Sequence, residues 1–227
     1  MTANLMVDKK PADRAPDNAE QAAARPRGRK RQSRAERSEE VRKSVFAAAA
    51  VVIGERGYAE ASISRIADLA GIALGSFYVH FESRQALFDE LLHKLRQDML
   101  AQMHRAVSGA SDFYDVEERG IRAMFDYLDQ EPGFGRILHE AEFVAPLAHQ
   151  QHYRELCERY VESLRRAMKA GVIKCFSEGE LEALASMLIH ARSGLAYMVR
   201  QKTSQGQAVD REACIRTYMQ MVRKGVS

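Results

Sequence analysis

Tryptophan is absent from this chain of 227 residues, cysteine occurs three times, and aromatic residues make up only 7%. Cys157, Cys175 and Cys214 lie far apart with no C-x-x-C pairing, which argues against a disulfide framework and a zinc site. They read as ordinary packed thiols. No apolar run reaches the roughly eighteen residues that a membrane-spanning helix needs. The amino end is polar and carries proline and arginine where a secretory signal has an apolar core, so the chain is expected to stay in the cytoplasm. G-x-S-x-G, G-x-x-x-x-G-K and H-E-x-x-H are also missing. Those spacings set out a nucleophile, a phosphate loop or a catalytic metal, so no enzyme activity, catalytic residue or cofactor is expected.

What is present is 46% apolar and 29% charged residues, enough for one large or two modest globular domains, with a net charge of +3. The charge is unevenly spread. Residues 1–37 hold ten Lys or Arg against five Asp or Glu, an excess of five that leaves the remainder at −2. Pro11, Pro16 and Pro26 interrupt this stretch and apolar periodicity is nearly absent, so it reads as a disordered basic arm. Two readings fit it: an arm that meets a polyanion and displaces counterions, or a solubilising tail.

After Ser38 the pattern turns helical, and it stays so to the end with no convincing strand; the fold class is all-α. Val41 to Ile53 give a first helix stopped by Gly57. Ser62 caps a second that Gly71 closes, Leu74–His80 form a third, and Ser83 caps a long amphipathic fourth. Further helices are expected around residues 121–128, 134–143, 146–171, 177–201 and 210–224, the penultimate opening on a Ser177–Glu180 capping box. The implied plan is an arm (1–37), a small helical head (38–84) and a larger helical body (85–227).

Residues 62–84 form two short helices joined by a tight turn at Gly71, with Ile66, Leu69 and Ala70 expected to face the core and Ile72 to plug the turn. Such a unit can lay its second helix in a DNA major groove while the first crosses the backbone. The stretches Gly57-Tyr58, Ser62 through Ile72, Gly75 through Phe81 and Ser83 through Leu87 together resemble the DNA-binding region of TetR-family transcriptional repressors, over residues 38–95. The resemblance implies a ligand-responsive repressor that binds a palindromic operator as a homodimer and is released by a small, largely apolar effector. It assigns DNA contacts to Ser62, Ser64, Arg65, Leu74, Gly75, Ser76, Tyr78, His80 and Arg84, with Phe77 and Phe81 packed inward. Two departures stand out: Ala73 offers no capping oxygen to the third helix, and Leu74 can touch a thymine methyl but cannot bond a guanine edge. Arg27, Arg29, Lys30 and Arg31 could supplement them in a minor groove or along phosphates. A helical interaction module that reads no specific sequence is the competing account.

In the body, the last two helices are expected to pair with a second copy through Leu188, Ala191, Leu195, Met198, Ile215, Tyr218 and Met219, although the same spacing also suits a monomer core. Met124, Phe125, Phe134, Phe143, Tyr153 and Met187 are the candidate walls of an adaptable effector pocket. His139-Glu140-Ala141-Glu142 and His149-Gln150-Gln151-His152 have no third ligand fixed by spacing and read as solvated helix faces rather than metal sites.

Overall fold

A computed structural model describes residues 33–226, so Arg27, Arg29, Lys30 and Arg31 lie outside the described residues. Nine α-helices follow one another there: α1 (Arg34–Arg56), α2 (Ile63–Ala70), α3 (Leu74–His80), α4 (Arg84–Val107), α5 (Phe113–Gln130), α6 (Phe134–Val144), α7 (Pro146–Lys169), α8 (Leu181–Ser204) and α9 (Arg211–Val226). A single 3-10 turn, Glu178–Glu180, leads into α8 through the Ser177 capping box. No strand occurs among the described residues, and no described helix is long and apolar enough to cross a membrane.

The caps explain the boundaries. Side-chain oxygens of Ser62, Ser83, Asp112 and Asp210 accept from backbone N–H groups in the first turns of α2, α4, α5 and α9. The first helix starts earlier than its apolar periodicity suggests. Residues 34–37, read as part of the arm, are helical, and Glu36 in that first turn suits the positive end of the helix dipole.

Two apolar clusters hold the chain. One joins Val45, Ala49 and Ile53 of α1, Ile66 of α2, Phe77 of α3, Phe88 and Leu91 of α4, and Phe134, Ile137 and Ala141 of α6. The other joins Ile121 and Phe125 of α5, Leu164 of α7, Leu184 and Leu188 of α8, and Ile215, Tyr218 and Met219 of α9. Packing therefore does not break at residue 84: the head's core runs on into α4 and α6.

At the heart of the second cluster sits a buried polar group drawn from four helices. Arg192 of α8 donates to Glu117 of α5 at 2.6 Å and to the Tyr218 hydroxyl of α9 at 2.9 Å. The hydroxyls of Tyr218 and of Tyr160 on α7 each donate to the same carboxylate at 2.6 Å. A buried ion pair survives only where its remaining lone pairs and protons are met, and here they are.

Candidate nucleic-acid interface

The α2–α3 unit is built by its capping residues. Ser62 Oγ accepts from Arg65 N at 3.3 Å and starts α2. Gly71 ends it at φ 70, a left-handed conformation that side-chain-bearing residues avoid, with its N–H on Asp68 O and that of Ile72 on Ala67 O. Ala73 stands at the N-cap of α3 without a side-chain bond, and the helix still begins at Leu74.

Phe77 and Phe81 are buried and lie 5.5 Å apart between ring centres. They anchor α3 on one side and turn the other outward. That outer side consists of Leu74 (49% exposed), Gly75, Tyr78 (55%) and Val79 (79%), with Ser76 half-buried at its edge. Nothing lies within 4 Å of where a Gly75 side chain would begin, so another molecule's backbone or base edge can approach closely. Val79 was not among the sequence candidates, although its spacing of four from Gly75 places it on this face. Leu69, expected in the core, is 55% exposed on α2 because Ile66 and Ala67 already fill the inward side.

The polar candidates divide. Ser62 and Ser64 are exposed at the start of α2, hydroxyl to hydroxyl at 3.2 Å. Arg65 pairs with Glu55 at 3.5 Å across an exposed surface. Arg84, expected to face phosphate, donates through Nη1 to the carbonyls of Ala59 and Ala61 at 3.2 and 3.0 Å and lies 4.3 Å over the Tyr58 ring. It fixes the loop ahead of α2. His80, also expected at phosphate, is half-buried with Nδ1 3.5 Å from Ser38 Oγ of α1. Its carbonyl accepts from Arg42, which also pairs with Glu90 and lies 4.6 Å over Phe81. Arg42 thus pins the end of α3 to α1, a role legible only once those helices are side by side.

From Tyr58 to Arg84 the unit carries Arg65 and Arg84 against Glu60, Asp68 and Glu82. A phosphate-binding surface needs more positive charge than this. The sequence holds that charge upstream, in residues 25–43.

The pocket candidates do not share a cavity. Phe125 is buried in the second cluster with Met124 and Tyr153 at its edge, Phe134 belongs to the first, and Phe143 (78%) and Met187 (58%) are exposed. Of the pairing candidates, Leu188, Ile215, Tyr218 and Met219 are buried within the chain and Ala191, Leu195 and Met198 half-buried, since this side of α8 and α9 closes the second cluster. The side of α8 that faces outward carries Ala183, Met187, His190, Gly194 and Tyr197. Cys175, read as packed, is exposed.

Residues 45–91 match the family described as bacterial regulatory proteins, tetR family. The chain is 28% identical over 160 residues to the HTH-type transcriptional regulator YdgC of Bacillus subtilis, covering 66% of this chain and 76% of that one. It is 31% identical over 81 residues to the HTH-type transcriptional repressor KstR2 of Rhodococcus jostii, covering 36% of this chain and 40% of that one. Among solved structures, that of the regulator FadR from Bacillus subtilis in complex with stearoyl-CoA superposes with a TM-score of 0.70 at 17% identity, over 82% of this chain and 99% of the other. That likeness is one of fold.

Proposed function

This chain belongs to the TetR family of bacterial transcriptional regulators, and from that premise we propose that it is a homodimeric repressor that a small-molecule effector lifts from its operator. The observation that carries the reading is the outer face of α3: Leu74, Gly75, Tyr78 and Val79 stand exposed on a short helix whose other side is fixed by Phe77, Phe81 and Arg42. Apolar contacts to thymine methyls, rather than a row of bonds to guanine, suit such a face. Ser62 and Ser64 at the start of α2 flank it with phosphate contacts. Arg27, Arg29, Lys30 and Arg31 provide the counterion-releasing charge that the α2–α3 unit lacks.

Two copies must set their α3 helices about 34–36 Å apart to read successive major grooves. The outward side of α8 is the pairing surface in this reading. Its small and apolar residues recur at helical spacing, and it continues onto α6 and α7, where His139 packs on Tyr197 and Leu147 lines an open cleft with His190. A second copy would cover Phe143, Leu147 and Met187, otherwise among the most exposed apolar side chains.

The lever between body and head has two members. α4 runs from the loop-fixing Arg84 into the body. α6 grips the end of α1 and the loop that follows it: Arg136 donates to Glu55 O at 2.8 Å and Glu140 accepts from Tyr58 N at 2.6 Å. An effector that favours one setting of these helices changes the α3 separation and hence operator affinity. Binding of the full chain to the intergenic DNA beside its own coding region, against random DNA at several salt concentrations, tests the reading. Preference for the intergenic DNA supports it, as does a shallower salt slope after removal of residues 1–32; equal affinity for random DNA favours the non-specific module instead.

A further inference from the structure

Between α4 and α7 the described residues include two buried side-chain polar atoms with no hydrogen-bonding partner: Nε of Arg96 and Nδ1 of His152. Both residues are 4% exposed. A buried donor left unmet is costly, and most such atoms in folded proteins have a partner. The rest of the Arg96 guanidinium is occupied. Nη1 pairs with Glu155 of α7 at 3.2 Å and Nη2 lies 3.2 Å from His93 Nδ1. Glu155 is one helical turn from His152, and Arg96 acts on both, so the four groups lie along one seam between α4 and α7.

We propose that this seam receives an oxyanion, the carboxylate or phosphate group of a small molecule, which accepts hydrogen bonds from Arg96 Nε and His152 Nδ1. The charges around it favour an anion over a neutral guest: Arg96 from α4, with His149 and Arg159 from α7, surround His152 and Glu155, and Glu155 is already paired. Burial, then the charges of Arg96 and His149, hold the imidazole down at about 4, so it is neutral near pH 7. An arriving anion offsets those charges and draws a proton from solvent onto the ring, giving two charge-assisted bonds. On the solvent side of the seam, exposed His93 touches Arg96 and lines an open groove between α1 and α4 with Arg42, Lys43, Asp89 and Glu90. Arg96 lies twelve residues along α4 from Arg84, about 18 Å at the helical rise. A guest wedged against it would therefore load the lever described above; that consequence rests on the proposed function, while binding itself does not.

Histidine-ring NMR on the full-length protein, with sodium octanoate and inorganic phosphate as separate probes and chloride at matched ionic strength as control, tests the site. The expected result is a saturable movement of the His152 signals with at least one probe, a rise in its pKa, and loss of both in Arg96→Lys, which keeps the charge but lacks Nε–H. Octanoate alone points to a carboxylate-bearing ligand, phosphate alone to a phosphorylated one. If Arg96→Lys fails to fold, His152→Gln read by calorimetry makes the same comparison. No saturable movement with either probe up to roughly ten times a millimolar Kd overturns the proposal, as does unchanged binding in the variant. Operator affinity followed in parallel separates the two readings. Bound anion with unaltered DNA affinity leaves the site and removes the lever, whereas intact DNA binding without anion binding removes the site alone.

Discussion

Gly54 of α1 and Gly133 at the start of α6 meet backbone to backbone. A Cβ built on Gly133 would stand 2.3 Å from the Ala50 carbonyl oxygen, and one built on Gly54 would stand 2.5 Å from Gly133 Cα. This crossing sets α6 tightly against α1, beside the bonds of Arg136 to Glu55 at the end of α1 and of Glu140 to Tyr58 in the loop that follows. Gly133→Ala therefore forces the helices apart, and overpacking of this kind costs about 1–3 kcal/mol. Thermal unfolding should show a lower midpoint; an unchanged midpoint would mean the helices are not so close.

The Glu117–Arg192 pair yields a larger effect. Glu117→Gln removes the charge that Arg192 faces inside the second cluster, and breaking a buried pair this way costs about 3–5 kcal/mol. Tyr160→Phe removes one hydroxyl donor and should cost about 1 kcal/mol. Denaturant titration measures both, and equal small losses would contradict the described network.

His152 makes acid stability one-sided. Burial lowers its pKa from 6.5 to about 4, so the unfolded chain binds its proton first as pH falls. Stability is full above about pH 6.5 and declines toward pH 4, by roughly 3 kcal/mol from this residue alone. His152→Phe should flatten that part of the pH–stability curve; an identical curve would show that the imidazole is solvated in the folded protein.

Gly194 lies on the outward side of α8 with nothing within 4 Å of its missing side chain. Gly194→Glu is therefore harmless to a monomer beyond weak propensity effects but places like charges across the two-fold contact proposed for this side of α8. Sedimentation should show a shift from dimer to monomer with little change in helical content. A variant that stays dimeric places the pairing surface elsewhere.

Element ends were legible in the sequence wherever a single residue decides them: Ser62, Gly71 and Ser83 mark α2 and the start of α4 by their own capping chemistry. Facing was harder. α8 is apolar on two sides, so its spacing alone does not tell Leu184 and Leu188, which turn inward, from Met187 and Tyr197, which do not. The same ambiguity scattered the pocket candidates, since Phe134 and Phe125 are equally apolar yet fill different clusters. The Gly54–Gly133 contact, the Arg42 bond to His80 and the diversion of Arg84 to backbone carbonyls all join residues distant in sequence. Local pattern carries no signal for them.

Operator affinity of Tyr78→Ala and Val79→Glu, measured by fluorescence anisotropy on specific and random DNA beside a thermal midpoint for each variant, bears most directly on the role of α3. Both side chains are exposed, so stability should stay within about 0.5 kcal/mol of the parent. Specific affinity is expected to fall at least about tenfold, the equivalent of 1.4 kcal/mol, with random-DNA binding nearly unchanged in Tyr78→Ala and lowered in Val79→Glu by its added negative charge. Undiminished specific binding in both variants would contradict the assignment of sequence reading to this face.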